Sequence, residues 1–407
     1  MTSSFTWLDY SEHERRKMLD VIELFGERTT RDELGIGGVR DAFADLLFPG
    51  TSTIQTAAKY FLFVPWIYLS LEEKRIQSSK VTERARKLEI LLAQELEISG
   101  ETEGVIGRFA KERLQRLPSS VYWQGLRQWD IRRFSGSQEE YHRSLDLFYE
   151  RQRRHGMSKS EFEGESADGS GQLNWHAVPS MPEDFPTGAT LDLTVVEADY
   201  LRERILSSCT HSLLAWLVRE RIFVEGIPFV WSLPVELPEL NRIQVQHGRN
   251  FSEVMHGAQL LYNLMLAEKR SWPEKVDHYQ ETLKKWWQLI ESRREELAQW
   301  KLAEFWQTVR QKNPRIHPRA EQFINEWIQR VVSASSLSIL LLSGSETRQQ
   351  IEEREVGLKR GLARLRNDLA CKMWNGAAGA TQLDLRWNSA RGILSDILVE
   401  VESTIDA

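Results

Sequence analysis

The segment Gly35–Tyr68, GIGGVRDAFADLLFPGTSTIQTAAKYFLFVPWIY, sets the tightest limit on what this chain can fold into. Val39, Phe43, Leu46 and Leu47 recur at helical spacing, the stripe of a helix with one buried face. Pro49-Gly50 ends that helix, because proline disfavours helical backbone in the residue before it and glycine tolerates the left-handed turn. The run that follows carries Phe61, Leu62, Phe63, Val64 and Trp66 in succession, so the second helix must be buried on all sides. Ser52 and Gln55 stand at capping-box spacing and predict that this helix opens near Ser52. Its first turns would hold Thr51, Ser52, Thr53, Gln55, Thr56 and Lys59 beside unpaired backbone N–H groups, a natural anion site that Arg40 is placed to join.

Two familiar functions fail on this segment. A dinucleotide fingerprint needs a third glycine, where Arg40 stands, and a preceding strand, which the sequence lacks. A DNA-reading helix-turn-helix needs a polar second helix, and this one is apolar.

Helical periodicity continues at Glu12–Leu24, Val81–Leu96, Gly104–Leu117 and Gln138–Arg154. Thr194 and Glu197 form a second capping-box pair opening a helix through Leu217, and Phe251–Leu266 is strongly apolar with Ser252 as its cap. Trp272-Pro273 starts the longest pattern, through Val309, and Pro314 and Pro318 separate it from Ala320–Val332. Glu352–Trp374 and Leu383–Glu402 complete the series. Ile227–Leu233 is strand-like and Leu337–Ser343 fits strand or helix. The expected fold is mainly α, multi-helix, with a few short strands. Between 157 and 188 the composition shifts to Ser, Gly, Glu and Pro, which predicts a linker or long loop between an N-terminal helical domain, 1–156, and a C-terminal one, 189–407.

With 41% apolar and 28% charged residues, the 407-residue chain has the composition of a globular protein. No apolar run reaches the roughly 20 residues of a membrane span, so no membrane partner is expected. Two cysteines, Cys209 and Cys371, and a polar start without a secretory signal predict a cytoplasmic protein. The net charge of −6 argues against a nucleic-acid coat, yet two segments are locally basic. In Arg108–Phe134, Arg108, Lys111, Arg113, Arg116, Arg127, Arg132 and Arg133 interleave with Phe109, Tyr122, Trp123, Trp129 and Phe134. Guanidinium groups for phosphates and rings for stacking are what single-stranded nucleic acid asks for, although arginines snorkelling over a core would give the same pattern. In the second, Lys359, Arg360, Arg364 and Arg366 fall on one broad face of a helix that could follow a phosphate backbone or dock an acidic partner.

Catalytic signals are weaker. Asp41 and Asp45 share a helix face, but such a pair also compensates a helix dipole. His247 with His256, and Cys209 with His211, fall short of the roughly three or four ligands of a zinc site. No nucleotide, metalloprotease or serine-hydrolase motif occurs, so no cofactor and no catalytic residue is assigned.

The opening FTWLDYSEHERRKMLDVIELF, the segment TRDELGIGGVRDAFADLLFPGTSTIQTAAKYFLFVPWIYLSLE, the run VMHGAQLLYNLMLAE and the tail GLKRGLARLRNDLACKMW resemble an uncharacterised bacterial family of about this length, a domain of unknown function. The resemblance implies no activity or catalytic residue. It implies a setting beside helicase and phospholipase-D-like nuclease genes, in defence against phage. The expectation is therefore a non-catalytic component of a DNA-directed system. Its partners would be DNA or the helicase and nuclease proteins of that system. The alternatives are a protein-interaction scaffold presenting tryptophans such as Trp286 and Trp306, and an enzyme of unrecognised class.

Overall fold

A computed structural model describes residues 32–110, 113–161 and 173–402. The expected helix Glu12–Leu24 lies outside them. Sixteen α-helices make the described chain mainly helical. In order they are α1 (Gly37–Leu47), α2 (Tyr60–Glu73), α3 (Ser78–Ile98), α4 (Pro118–Gln128), α5 (Gln138–Glu161), α6 (Val195–Ser208), α7 (Leu213–Arg219) and α8 (Glu239–Lys269). Then follow α9 (Pro273–Ser292), α10 (Arg294–Ala298), α11 (Leu302–Arg310), α12 (Pro318–Ser333), α13 (Leu337–Leu341), α14 (Glu346–Lys359), α15 (Asp368–Lys372) and α16 (Trp387–Glu402). Among the described residues the only β pairing is an isolated antiparallel bridge between Arg132 and Trp175. The strand-like Ile227–Leu233 instead carries a 3₁₀ turn at Val230–Ser232, and the ambiguous Leu337–Leu341 is helical.

The chain divides into two compact units, one of residues 1–43 and 246–385, the other of 44–245 and 386–407. Both flanks of the 157–188 segment fall in the second unit. There α5 runs on to Glu161, and Trp175 is buried with its indole N–H on the Glu72 carboxylate at 3.2 Å.

In the second unit, α2 is the buried centre. Tyr60 to Tyr68 are all buried, Pro65 included, and α2 packs on α3 and α4. Gly50 turns the chain ahead of it at φ 85°, and a side chain there would collide with the Trp129 indole. Helix α6 opens with the expected capping box: the Thr194 N–H donates to Glu197 at 2.7 Å and the Glu197 N–H to the Thr194 hydroxyl. It ends at Ser208, and α7 restarts behind a Ser212 cap. Helix α16 lies along α6 and α7.

In the first unit, the Asp32 carboxylate caps α1 by accepting from the N–H groups of Ile36 and Gly37 at 2.7 and 2.9 Å. Ser252, expected as a cap, lies in the middle of α8 and donates to the Leu383 carbonyl. The single long helix expected through Val309 is three helices, α9, α10 and α11. Arg293 sits at the first break, buried, and binds Glu253, Asn250 and Glu296, which holds the kink with charge. Helix α12 packs on α10 and α14, and α13 on α9 and α14.

Many of the tryptophans bridge distant segments through their indole N–H. Trp66 donates to the Pro179 carbonyl, Trp129 to Pro49, Trp286 to Glu253 and Trp387 to Ile227. Trp286, Trp287 and Trp306 are buried, so burial gives these rings a packing role inside the first unit.

Candidate functional site

Helix α2 starts at Tyr60, eight residues beyond the expected Ser52, and the polar stretch before it is closed on itself. Gln55 accepts from the Ser52 N–H at 2.9 Å and donates to the Gly50 carbonyl at 3.1 Å, while the Thr51 hydroxyl donates to Phe48. Thr53 is exposed. The N–H groups expected to hold an anion already have partners. Those of Thr56 and Ala57 donate to the Tyr122 hydroxyl at 2.9 and 3.1 Å, and that of Ala58 to the Asp396 carboxylate at 2.7 Å. Burial pushes the Asp396 carboxyl up to about 6. Lys59 is buried against Glu197 and the Asp192 carbonyl. Arg40, in the first unit, is paired with Asp41 at 3.0 Å. The protein supplies its own anions here, which removes the helix-start site.

The Arg108–Phe134 segment is dismantled similarly. Residues 106–110 form turns rather than the expected helix, and Lys111 lies outside the described residues. Arg108 donates to the Thr102 carbonyl, and Arg127 stands 3.8 Å from Asp130. Arg132 is buried, 4.4 Å over the Trp123 ring, and donates to the carbonyls of Trp123, Phe134 and Gly136. Burial pushes its guanidinium down to about 10. Arg133 and Arg113 remain exposed, but Tyr122, Trp123 and Trp129 are core, with Trp129 stacked on Phe61 at 3.8 Å. A stacking platform needs accessible ring faces: these three rings are covered, while Phe109 is exposed.

The third basic segment is not one helix. Helix α14 ends at Lys359, a 3₁₀ turn takes Arg360–Leu362, and α15 starts only at Asp368. Lys359 binds Glu33, Glu355 and the Tyr262 hydroxyl, and Arg364 binds Glu33 at 2.7 Å. Glu355, fully buried, also accepts from the N–H groups of Arg364 and Leu365 at 3.0 and 2.9 Å. Burial raises the Glu355 carboxyl, but Lys359 and the hydrogen bonds from the Tyr262 hydroxyl and the Leu365 N–H together bring it below its ordinary value. Arg366 pairs with Glu352 at 2.8 Å. Of the four expected cations, Arg360 alone is exposed with no side-chain partner among the described residues.

Arg360 lines an open groove of about 560 Å³ in the first unit, between the start of α12 and the end of α14. Arg319, exposed in the first turn of α12, lines it too and has no carboxylate partner among the described residues. Arg354 forms part of the wall, 5.3 Å over Phe323, donating to the carbonyls of Leu34 and Gly35 at 2.8 and 3.1 Å. Gly35 is needed for that approach. At φ 63° it takes the left-handed turn, and a Cβ would lie 2.4 Å from the Arg354 guanidinium. The glycine run of the opening segment thus seats an arginine instead of a nucleotide. Burial lowers the Arg354 pKa against the opposing pull of Asp32. His317 accepts the Arg319 N–H on Nδ1 at 3.1 Å, so its neutral ring carries the proton on Nε2. The carboxylates of the lining are Glu326, held by Gln322 and Gln350, and Glu353, held by Gln349.

This groove escaped the sequence because its cations come from two separated stretches. The visible signal was the acid-free run from Arg310 to Ala320, which holds Arg310, Lys312, Arg315, His317 and Arg319 but reads as a proline-marked break.

None of the weaker catalytic candidates lines the groove. Asp45 pairs with Arg386, His247 accepts from the Trp300 indole at 3.0 Å, His256 lies 3.0 Å from the Ala380 carbonyl, and Cys209 is buried against the Gln128 carbonyl. No group of three His, Cys, Asp or Glu side chains among the described residues is placed to hold a metal ion. No helix among them is long and apolar enough to cross a membrane.

Fold and groove together define a mainly helical protein with an open, arginine-lined depression. The model of a family of unknown function, DUF6361, matches residues 2–401, and the chain belongs to that family. No curated protein and no solved structure matches it.

Proposed function

We propose that this protein is a non-catalytic helical component of a DNA-directed system, of the anti-phage kind its family resemblance suggests, working in the cytoplasm. It contacts nucleic acid through the groove of its first unit. The observation that carries this reading is the pair Arg319 and Arg360, exposed on one depression and neither of them ion-paired among the described residues. Unpaired guanidinium groups bind phosphate oxygens with charge-assisted, bidentate hydrogen bonds. Lys312 and Arg315, also exposed, continue the positive charge ahead of α12. Arg113 and Arg133 are exposed cations of the second unit and offer further phosphate contacts.

The test is binding of labelled single- and double-stranded DNA to the full chain at increasing salt. Reversing Arg319 and Arg360 to glutamate should weaken binding and reduce the slope of log K against log salt by roughly 2 for duplex. Reversing Lys359 or Arg364 is the wrong experiment, because each is one partner of a buried pair and its loss destabilises the fold. Absence of binding at low salt, or binding unchanged by the double reversal, would overturn the proposal.

A further inference from the structure

We infer that the groove recognises a terminal phosphate, the phosphomonoester of a strand end or a free nucleotide, in preference to an internal phosphodiester. The inference rests on the anion-contact reading above and narrows it.

The arrangement of charge is the first reason. Arg319 from α12, Arg360 from the end of α14 and Arg354 from the wall line one depression instead of forming a row along a helix. A continuous backbone wants a track, whereas a single group wants convergence. Glu326 and Glu353 are part of the same lining, each held by glutamine side chains. A terminal phosphate enters from one side and stops there. It carries close to two charges at neutral pH against one for a diester, so it gains more from the same guanidinium groups. The volume suits a ligand of nucleotide size.

The backbone at Arg360 is the second reason. It lies at φ 52° and ψ −123°, a conformation that glycine takes and other residues avoid, although Gly361 is the next residue. Such a geometry persists only where its surroundings enforce it. Here Lys359 and Arg364, on either side of the turn, are anchored to Glu33 and Glu355 inside the unit. The buried ion pairs hold a strained turn whose exposed product is the Arg360 guanidinium at the groove.

Unused donors are the third reason. Arg354 spends Nε and Nη2 on carbonyls and has no carboxylate contact, leaving Nη1 without a partner among the described residues. The His317 Nε2–H has no acceptor among the described residues.

The experiment uses the full chain and one oligodeoxynucleotide sequence, with phosphate at both ends or with hydroxyl ends, at fixed ionic strength. Gly357 lines the groove on α14, and a Cβ there meets nothing within 4 Å, so Gly357→Glu adds a negative charge without disturbing the packing and Gly357→Ala is its control. End-phosphorylated DNA should bind about fivefold tighter or better. That preference should survive Gly357→Ala and vanish in Gly357→Glu and Arg360→Gly. Competition by adenosine monophosphate but not adenosine would assign the free nucleotide as a source; failure to compete would assign the strand end. Equal affinity for both DNAs overturns the inference and leaves the nucleic-acid reading standing. Binding of the monophosphate without any DNA binding does the reverse. No binding of either overturns both.

Discussion

Arg360 shows how much one residue can reveal when its backbone and its side chain make opposite demands. Its left-handed φ costs stability that glycine would recover, while its exposed side chain forms no bond among the described residues that would repay the strain. Arg360→Gly should therefore stabilise the fold by about 1 kcal/mol, the relief of strain less the extra chain entropy of glycine, read as a higher urea midpoint at unchanged slope. A destabilised variant would mean that the side chain has a structural task. Lys359, one residue earlier, is the opposite case, since its charge is fully used by Glu33 and Glu355. Residue type alone could not separate the two, because both were exposed cations on the same expected helix face. What separates them is Glu33, more than three hundred residues away in the chain.

Among the elements, those that carry their own signals were legible. The stripe from Val39 to Leu47 gives α1 and the Thr194–Glu197 capping box gives the start of α6, although the helix expected through Leu217 stops at Ser208 and restarts as α7. The start of α2 was not legible, because Tyr122 and Asp396 satisfy its approach from distant segments and Ser52 does not. The break after Lys359 was hidden for the same reason. Helix α4 gives a third case: its first-turn Ser119 N–H and hydroxyl both donate to Glu89 of α3, at 2.7 and 2.8 Å. Glu89 is 1% exposed, and burial pushes its carboxyl up to about 7 from 4.5 against the pull of those two bonds. The folded chain thus holds this proton more tightly than the unfolded one. The stability it contributes is complete below about pH 4.5 and is lost as pH rises through about 7. Between about pH 5 and pH 8, the wild type should lose roughly 3 kcal/mol that Glu89→Gln does not lose. Parallel stability–pH curves for the two proteins would refute this account of the α3–α4 junction.

At the scale of the whole molecule, the groove works inside a chain of net charge −6. Long-range steering therefore opposes the approach of DNA, and the contact must come from short-range pairing at Arg319 and Arg360. The legible part of this scale was the helical class and the family. The groove was illegible because it exists only once α12 and α14 are packed. The tryptophans carry a last consequence of that packing. Ten of the 15 donate their indole N–H to protein acceptors and not to water. The light this protein emits under ultraviolet excitation should accordingly be blue-shifted and poorly quenched by iodide, and should move sharply to the red on unfolding. An emission already red in the native state would mean that these rings are wet. If it is blue, the protein carries its own dye for each of the melts and titrations above.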